Sequence, residues 1–111
     1  MGARVNFIFD DSTDNLVGFY SHWGADSWRG DLAAALVHAK PRLGDYSYFT
    51  RMVISYLIQD ELLEETGFGI YGLSRDETTK LFDETVIIDL LNQVIIDDNK
   101  NEIPFYSKVD A

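Results

Sequence analysis

The chain has 111 residues, a formal net charge of −10, 46% hydrophobic and 25% charged residues, and no cysteine. That length supports one hydrophobic core, and the composition is that of a folded domain rather than a disordered segment. The lack of cysteine excludes disulfide scaffolds, zinc fingers, iron–sulfur ligation and thiol catalysis, and no apolar run reaches the ~18 residues of a membrane span.

Residues 4–10 alternate Val5, Phe7 and Phe9 against Asn6, Ile8 and Asp10, the pattern of a half-buried strand. A polar turn at 11–15 leads into a second strand over 16–23, giving an N-terminal hairpin. Asp26 or Ser27 can cap a helix whose apolar positions are Trp28, Leu32, Ala35, Leu36 and Ala39, and Pro41 ends it. A second helix is expected from about Ser47 to Leu63. It is apolar nearly all round except for a stripe of Arg51, Ser55 and Gln59, so burial against a sheet is expected. Strands follow at 68–73, 86–90 and 93–97, with a short edge strand near 103–106 interrupted by Pro104. The expected architecture is a single α+β domain over residues 1–111. Its antiparallel sheet has about five strands in the order ββααβββ, with both helices packed on one face.

Charge is unevenly placed. Residues 1–55 hold six acids and five bases, whereas residues 56–111 hold thirteen acids and four bases. A chain this acidic is unsuited to duplex DNA or anionic membranes, which need clustered bases. Arg29, Lys40, Arg42 and Arg51 nevertheless fall within 29–51, where the only acids are Asp31 and Asp45. Around the start of the second helix, Arg42 and Arg51 mix with Tyr46 and Tyr48. Helix N–H groups, arginine forks and aromatic faces together suit a small anion. His22, at the end of the second strand, joins the same site, with Trp23 and Tyr71 as candidate walls. Each has a structural alternative: Asp45 or Ser47 as a simple cap, the tyrosines as half-core, His22 as a hydrogen-bonded corner.

Asp60, Glu61, Glu64 and Glu65 place like charges four residues apart at the negative end of the helix dipole, which local helix physics disfavours. Salt bridges to Arg29, Arg42 or Lys80, or contact with a basic partner, would compensate. The glycines between 67 and 72 follow a helix and enter a strand, the reverse of a phosphate-binding loop. Residues 97–101 resemble the start of a calcium loop, but the glycine is missing and Lys108 stands where the bidentate glutamate belongs, so calcium is not expected.

Three strings stand in fixed order: Tyr-Ser-His-Trp-Gly at 20–24, Ala-Lys-Pro-Arg at 39–42 with Ser-Tyr and Thr-Arg-Met in 47–52, and Glu-Thr-Gly-Phe-Gly-Ile-Tyr at 65–71. With the Met-Gly-Ala-Arg start, they make the chain resemble a group of small uncharacterised proteins of bacteriophages, prophages and plasmids. That group has no assigned activity. The resemblance implies a mobile-element accessory protein in the bacterial cytoplasm and carries over no catalytic residue. Leu43 departs from the aromatic expected after Pro-Arg, which removes a stacking role from that position.

The leading expectation is a non-enzymatic module binding a small anionic ligand such as a nucleotide at His22, Arg42, Tyr46, Tyr48 and Arg51, walled by Trp23 and Tyr71. The alternative is an acidic interaction protein that presents Asp60, Glu61, Glu64 and Glu65 to a basic host protein as a nucleic-acid mimic. No catalytic motif, cofactor or metal site is read, and a homodimer is compatible with either function.

Overall fold

A computed structural model describes residues 4–22, 27–81 and 83–106. The elements are β1 (Val5–Asp10), β2 (Asn15–Ser21), α1 (Trp28–Ala39), α2 (Tyr46–Leu57), β3 (Phe68–Ser74), β4 (Glu84–Asp89), β5 (Val94–Ile96) and β6 (Glu102–Pro104). Single 3-10 segments lie at Lys40–Arg42 and Arg75–Lys80. The fold is α+β, but the sheet departs from expectation in two ways. Over the described residues it has six strands, in the order β3-β2-β1-β4-β5-β6. It is also mixed: β4 runs parallel to β1, from Val5↔Glu84 to Asp10↔Asp89, while every other pairing is antiparallel.

The parallel pairing follows from where the apolar side chains must go. Val5, Phe7 and Phe9 of β1 and Val86, Ile88 and Leu90 in and just after β4 all join one core with Trp28, Leu32, Leu36, Phe49 and Val53 of the helices. Placing β4 beside β1 sets both strands at the middle of the sheet, beneath α1 and α2. β1 is buried on both faces, not one, since Asn6 and Ile8 are covered as well. Ile8, Leu16 and Leu73 form a second, smaller core on the face away from the helices. In α1, the five apolar positions at helical spacing are all buried.

Asn6 is buried because β3 reaches across β2 to it. Tyr71 stands opposite Gly18, and its ring occupies the space where a Cβ would project from that glycine. The Tyr71 hydroxyl donates to Asn6 Oδ1 at 2.6 Å. Burial raises the pKa of that hydroxyl above its ordinary value, which keeps it a donor. Gly18→Ala is therefore expected to displace the ring and strand the buried amide, costing about 1–3 kcal/mol in urea unfolding. Tyr71→Phe, which removes only the hydroxyl, should reproduce the polar part of that loss. Unchanged stability in Gly18→Ala would refute the close packing.

Helix α2 ends at Leu57, not Leu63. Ile58 has already left helical angles, and the chain proceeds by turns closed by Glu61 N–H to Ile58 and Glu64 N–H to Glu61. The cause is the run of carboxylates: four acids in the final turns of a longer helix would oppose its dipole and repel one another. The helix is also less buried than its composition implies, with only Phe49, Val53 and Ile54 fully covered.

A candidate ligand groove beside helix α2

The incomplete burial of α2 has a definite geometry. Between this helix and the helix-side face of β2 and β3 lies an open groove of about 460 Å³, within the few-hundred to thousand Å³ range of small-molecule sites. Its floor is apolar: Phe9, Val17 and Ile70 from the sheet, Ile54 from the helix, Ile58 just past its end, and Leu90. The strand period explains the floor, because Val17 and Ile70 lie on the same face as Phe9 and Phe19 but outside the core that the helices close. Val17 is 36% and Ile70 64% exposed, although both lie on the face that elsewhere forms the core.

The rim is polar, with hydroxyls along its α2 side and Asp11 and Asn15 across from them. Ser47, Thr50 and Ser55 line it from α2, together with Tyr46 and Arg51. Arg51 donates to Ser55 Oγ at 3.4 Å along the four-residue stripe and makes no ion pair with any described residue. Across the groove, Asp11 is engaged by Thr13, whose backbone N–H and hydroxyl donate to its Oδ1 at 3.0 and 2.6 Å. Among the described residues, Arg51 is the only cation lining the groove.

The residues expected to form one site separate into three places. Tyr46 and Arg51 line the groove. Arg42 stacks over Tyr48 at 5.4 Å, outside the groove lining. His22 and Tyr71 belong to the opposite face of the sheet: Tyr20 Oη meets His22 Nδ1 at 3.0 Å, and Tyr71 bonds Asn6. Trp23 lies outside the described residues. The N-terminus of α2 is already served by its own chain, since the Asp45 carboxylate accepts the Tyr48 N–H at 3.5 Å and the Ser47 hydroxyl at 3.3 Å. Reasoning from charged and aromatic residues missed Val17, Ile54, Ile58 and Ile70. The one signal for them was the surplus of apolar residues on α2.

A second cavity of about 240 Å³ lies beside Trp28 and Phe68. Its polar wall holds Ser21, Ser27, Asp31 and Glu61 and, among the described residues, no cation, so it suits an anion less well. Asp60, Glu61, Glu64 and Glu65 are all exposed in the turns after α2. Their expected salt bridges are absent among the described residues, and Arg29 instead pairs with Asp97 at 3.0 Å. Between these acids Leu62 and Leu63 stand 62% and 93% exposed. Among the described residues no three His, Asp or Glu side chains gather as metal ligands, and no helix is long and apolar enough to cross a membrane. No protein-family model, curated protein or solved structure matches this chain.

Proposed function

We propose that this chain is a non-enzymatic binding protein for a small organic anion, held with its apolar body in the α2 groove and its acidic head at Arg51. The observation that carries this reading is the pairing of an exposed apolar floor with a guanidinium at its rim that makes no ion pair with any described residue. Leaving Val17 and Ile70 open to water is unfavourable in the free protein, and a ligand's apolar surface offsets it. Arginine then selects for a carboxylate or phosphate by forked hydrogen bonds, and the hydroxyls of Ser47, Thr50 and Ser55 orient it. With one arginine and Asp11 on the far rim, the site suits a ligand of low charge better than a polyphosphate. Such a module is in keeping with the phage-type accessory role that the sequence resemblance implies.

Calorimetry with decanoate, decanol and adenosine monophosphate tests the proposal. Saturable binding of decanoate or the nucleotide is expected, weakened about tenfold by Arg51→Ala, while any decanol binding is left unchanged. If neither anion binds at millimolar concentration, the reading fails.

A second reading is favoured by one observation, the exposure of Leu62 and Leu63 among four carboxylates. We infer that this segment would suit a basic partner surface with an apolar pocket. Capture of such a partner should weaken with salt and be lost in Leu63→Ser, whereas capture that survives high salt would exclude it.

A further inference from the structure

The two edges of the sheet are built differently. At one edge β6 has three residues, with Glu102 and Pro104 among them, the short charged and proline-bearing form by which sheets avoid pairing with other chains. At the other, β3 has seven residues, Phe-Gly-Ile-Tyr-Gly-Leu-Ser, with no charge and no proline. It pairs with β2 without interruption from Asn15↔Ser74 to Ser21↔Phe68, so no bulge turns it away. Among the described residues no strand pairs with its outer side.

An unprotected edge of this kind is a template for another strand, and two features select a second copy of this chain. The first is charge. Copies carrying −10 each repel, and contact between them is best tolerated where no carboxylate is brought against another. Strand β3 meets that condition, whereas a basic foreign strand would be drawn to the acidic surfaces instead. The second is the order of side-chain sizes. In an antiparallel pairing with its two-fold axis at Ile70, Phe68 faces Gly72 of the other copy, Gly69 faces Tyr71, and Ile70 faces itself. Large meets small at each step around an apolar centre, the self-complementarity that an isologous interface requires. The Cβ direction of Gly69 meets nothing within 4 Å, and that of Gly72 meets only a backbone oxygen at 4.0 Å, so both glycines leave room. Ile70, 64% exposed in the single chain, is the residue such pairing covers.

We propose that the protein forms a homodimer through antiparallel β3–β3 pairing about Ile70, joining the two sheets into one. The proposal does not depend on the groove holding a ligand, because its test reads only mass and cross-linking. The chain has no cysteine, so a single introduced thiol reports one position. Residues directly opposite in an antiparallel pair have Cα atoms about 4.5–5.5 Å apart, within disulfide reach. Under mild oxidation Ile70→Cys is expected to form covalent dimer at least ~10-fold faster than Leu91→Cys, an equally exposed control in a turn away from that edge. Sedimentation of the wild type should give a concentration-dependent dimer, and Ile70→Lys should give a folded monomer. A wild type that stays monomeric at submillimolar concentration overturns the proposal. So does equal cross-linking at the two positions, or a dimer that persists unchanged in Ile70→Lys.

Discussion

Asp97→Asn is expected to lower the melting temperature by about 10 °C at neutral pH and to flatten the loss of stability in acid. Asp97 is buried at the start of the β5–β6 turn, where its carboxylate organises four donors. Oδ1 accepts the backbone N–H groups of Asn99 at 3.0 Å and Asn101 at 2.9 Å. Oδ2 accepts Arg29 at 3.0 Å and the Asn101 side-chain amide at 3.2 Å. Arg29 also lies over the Trp28 ring at 4.5 Å, so this one carboxylate ties the hairpin of β5 and β6 to the first turn of α1. Asparagine keeps an oxygen for the two backbone donors but turns an NH2 group toward Arg29 and Asn101, setting donors against donors. Alanine removes all four bonds and should cost more.

The pH dependence follows from the same contacts. The Asn101 backbone N–H is the largest influence lowering the Asp97 pKa. Arg29, the Asn101 side chain and the Asn99 N–H act with it against the opposing effect of burial, and the pKa falls from 3.8 to about 2. A carboxyl whose folded pKa lies below its unfolded one adds stability above the unfolded value, and loses it as pH falls toward the folded one. Wild-type stability should therefore drop between about pH 4 and pH 2 more steeply than that of Asp97→Asn, with the two curves converging below that window. Asp10, held below the usual range chiefly by its hydrogen bonds to Arg75, leaves a residual slope in both proteins. Urea unfolding at intervals from pH 2 to 7 measures this, and parallel curves would rule out Asp97 as the acid-sensitive clasp.

Much of the fold is legible where the signal is local. The first hairpin and the five buried positions of α1 follow from periodicity, and of the two caps open to α2, Asp45 and Ser47, the structure uses Asp45. What was not legible depends on distant partners. Asn6 has the look of an outward polar residue of a half-buried strand, and only Tyr71, 65 positions along the chain, makes it a buried one. The parallel β1–β4 pairing is equally non-local, since the β4 sequence suits an antiparallel neighbour just as well. The turn at 97–101 carries its signal in the alternating Asp and Asn residues, which fold back on their own backbone as readily as they ligate a cation. The groove was legible only as an anomaly. An apolar surplus on α2 implied complete burial against the sheet, but the sheet beneath its outer flank is the exposed edge region of Val17 and Ile70.

That anomaly gives the groove its most decisive test. Val17→Trp places an indole on the groove floor, facing Ile54 and Ile70, without disturbing the closed core beneath α1. Tryptophan suits a strand as well as valine does, and covering an exposed apolar floor does not weaken the fold, so the melting temperature should hold or rise slightly. Ligand binding should not survive. The indole takes up space that the ligand body needs, and decanoate affinity is expected to fall by at least ~10-fold. The comparison with Arg51→Ala separates the two halves of the site. Removing the guanidinium weakens only anions, because the floor is intact, whereas filling the floor weakens decanoate and decanol alike. Decanoate binding to Val17→Trp at wild-type strength would place the ligand elsewhere on the molecule and remove the basis for assigning Arg51 its role.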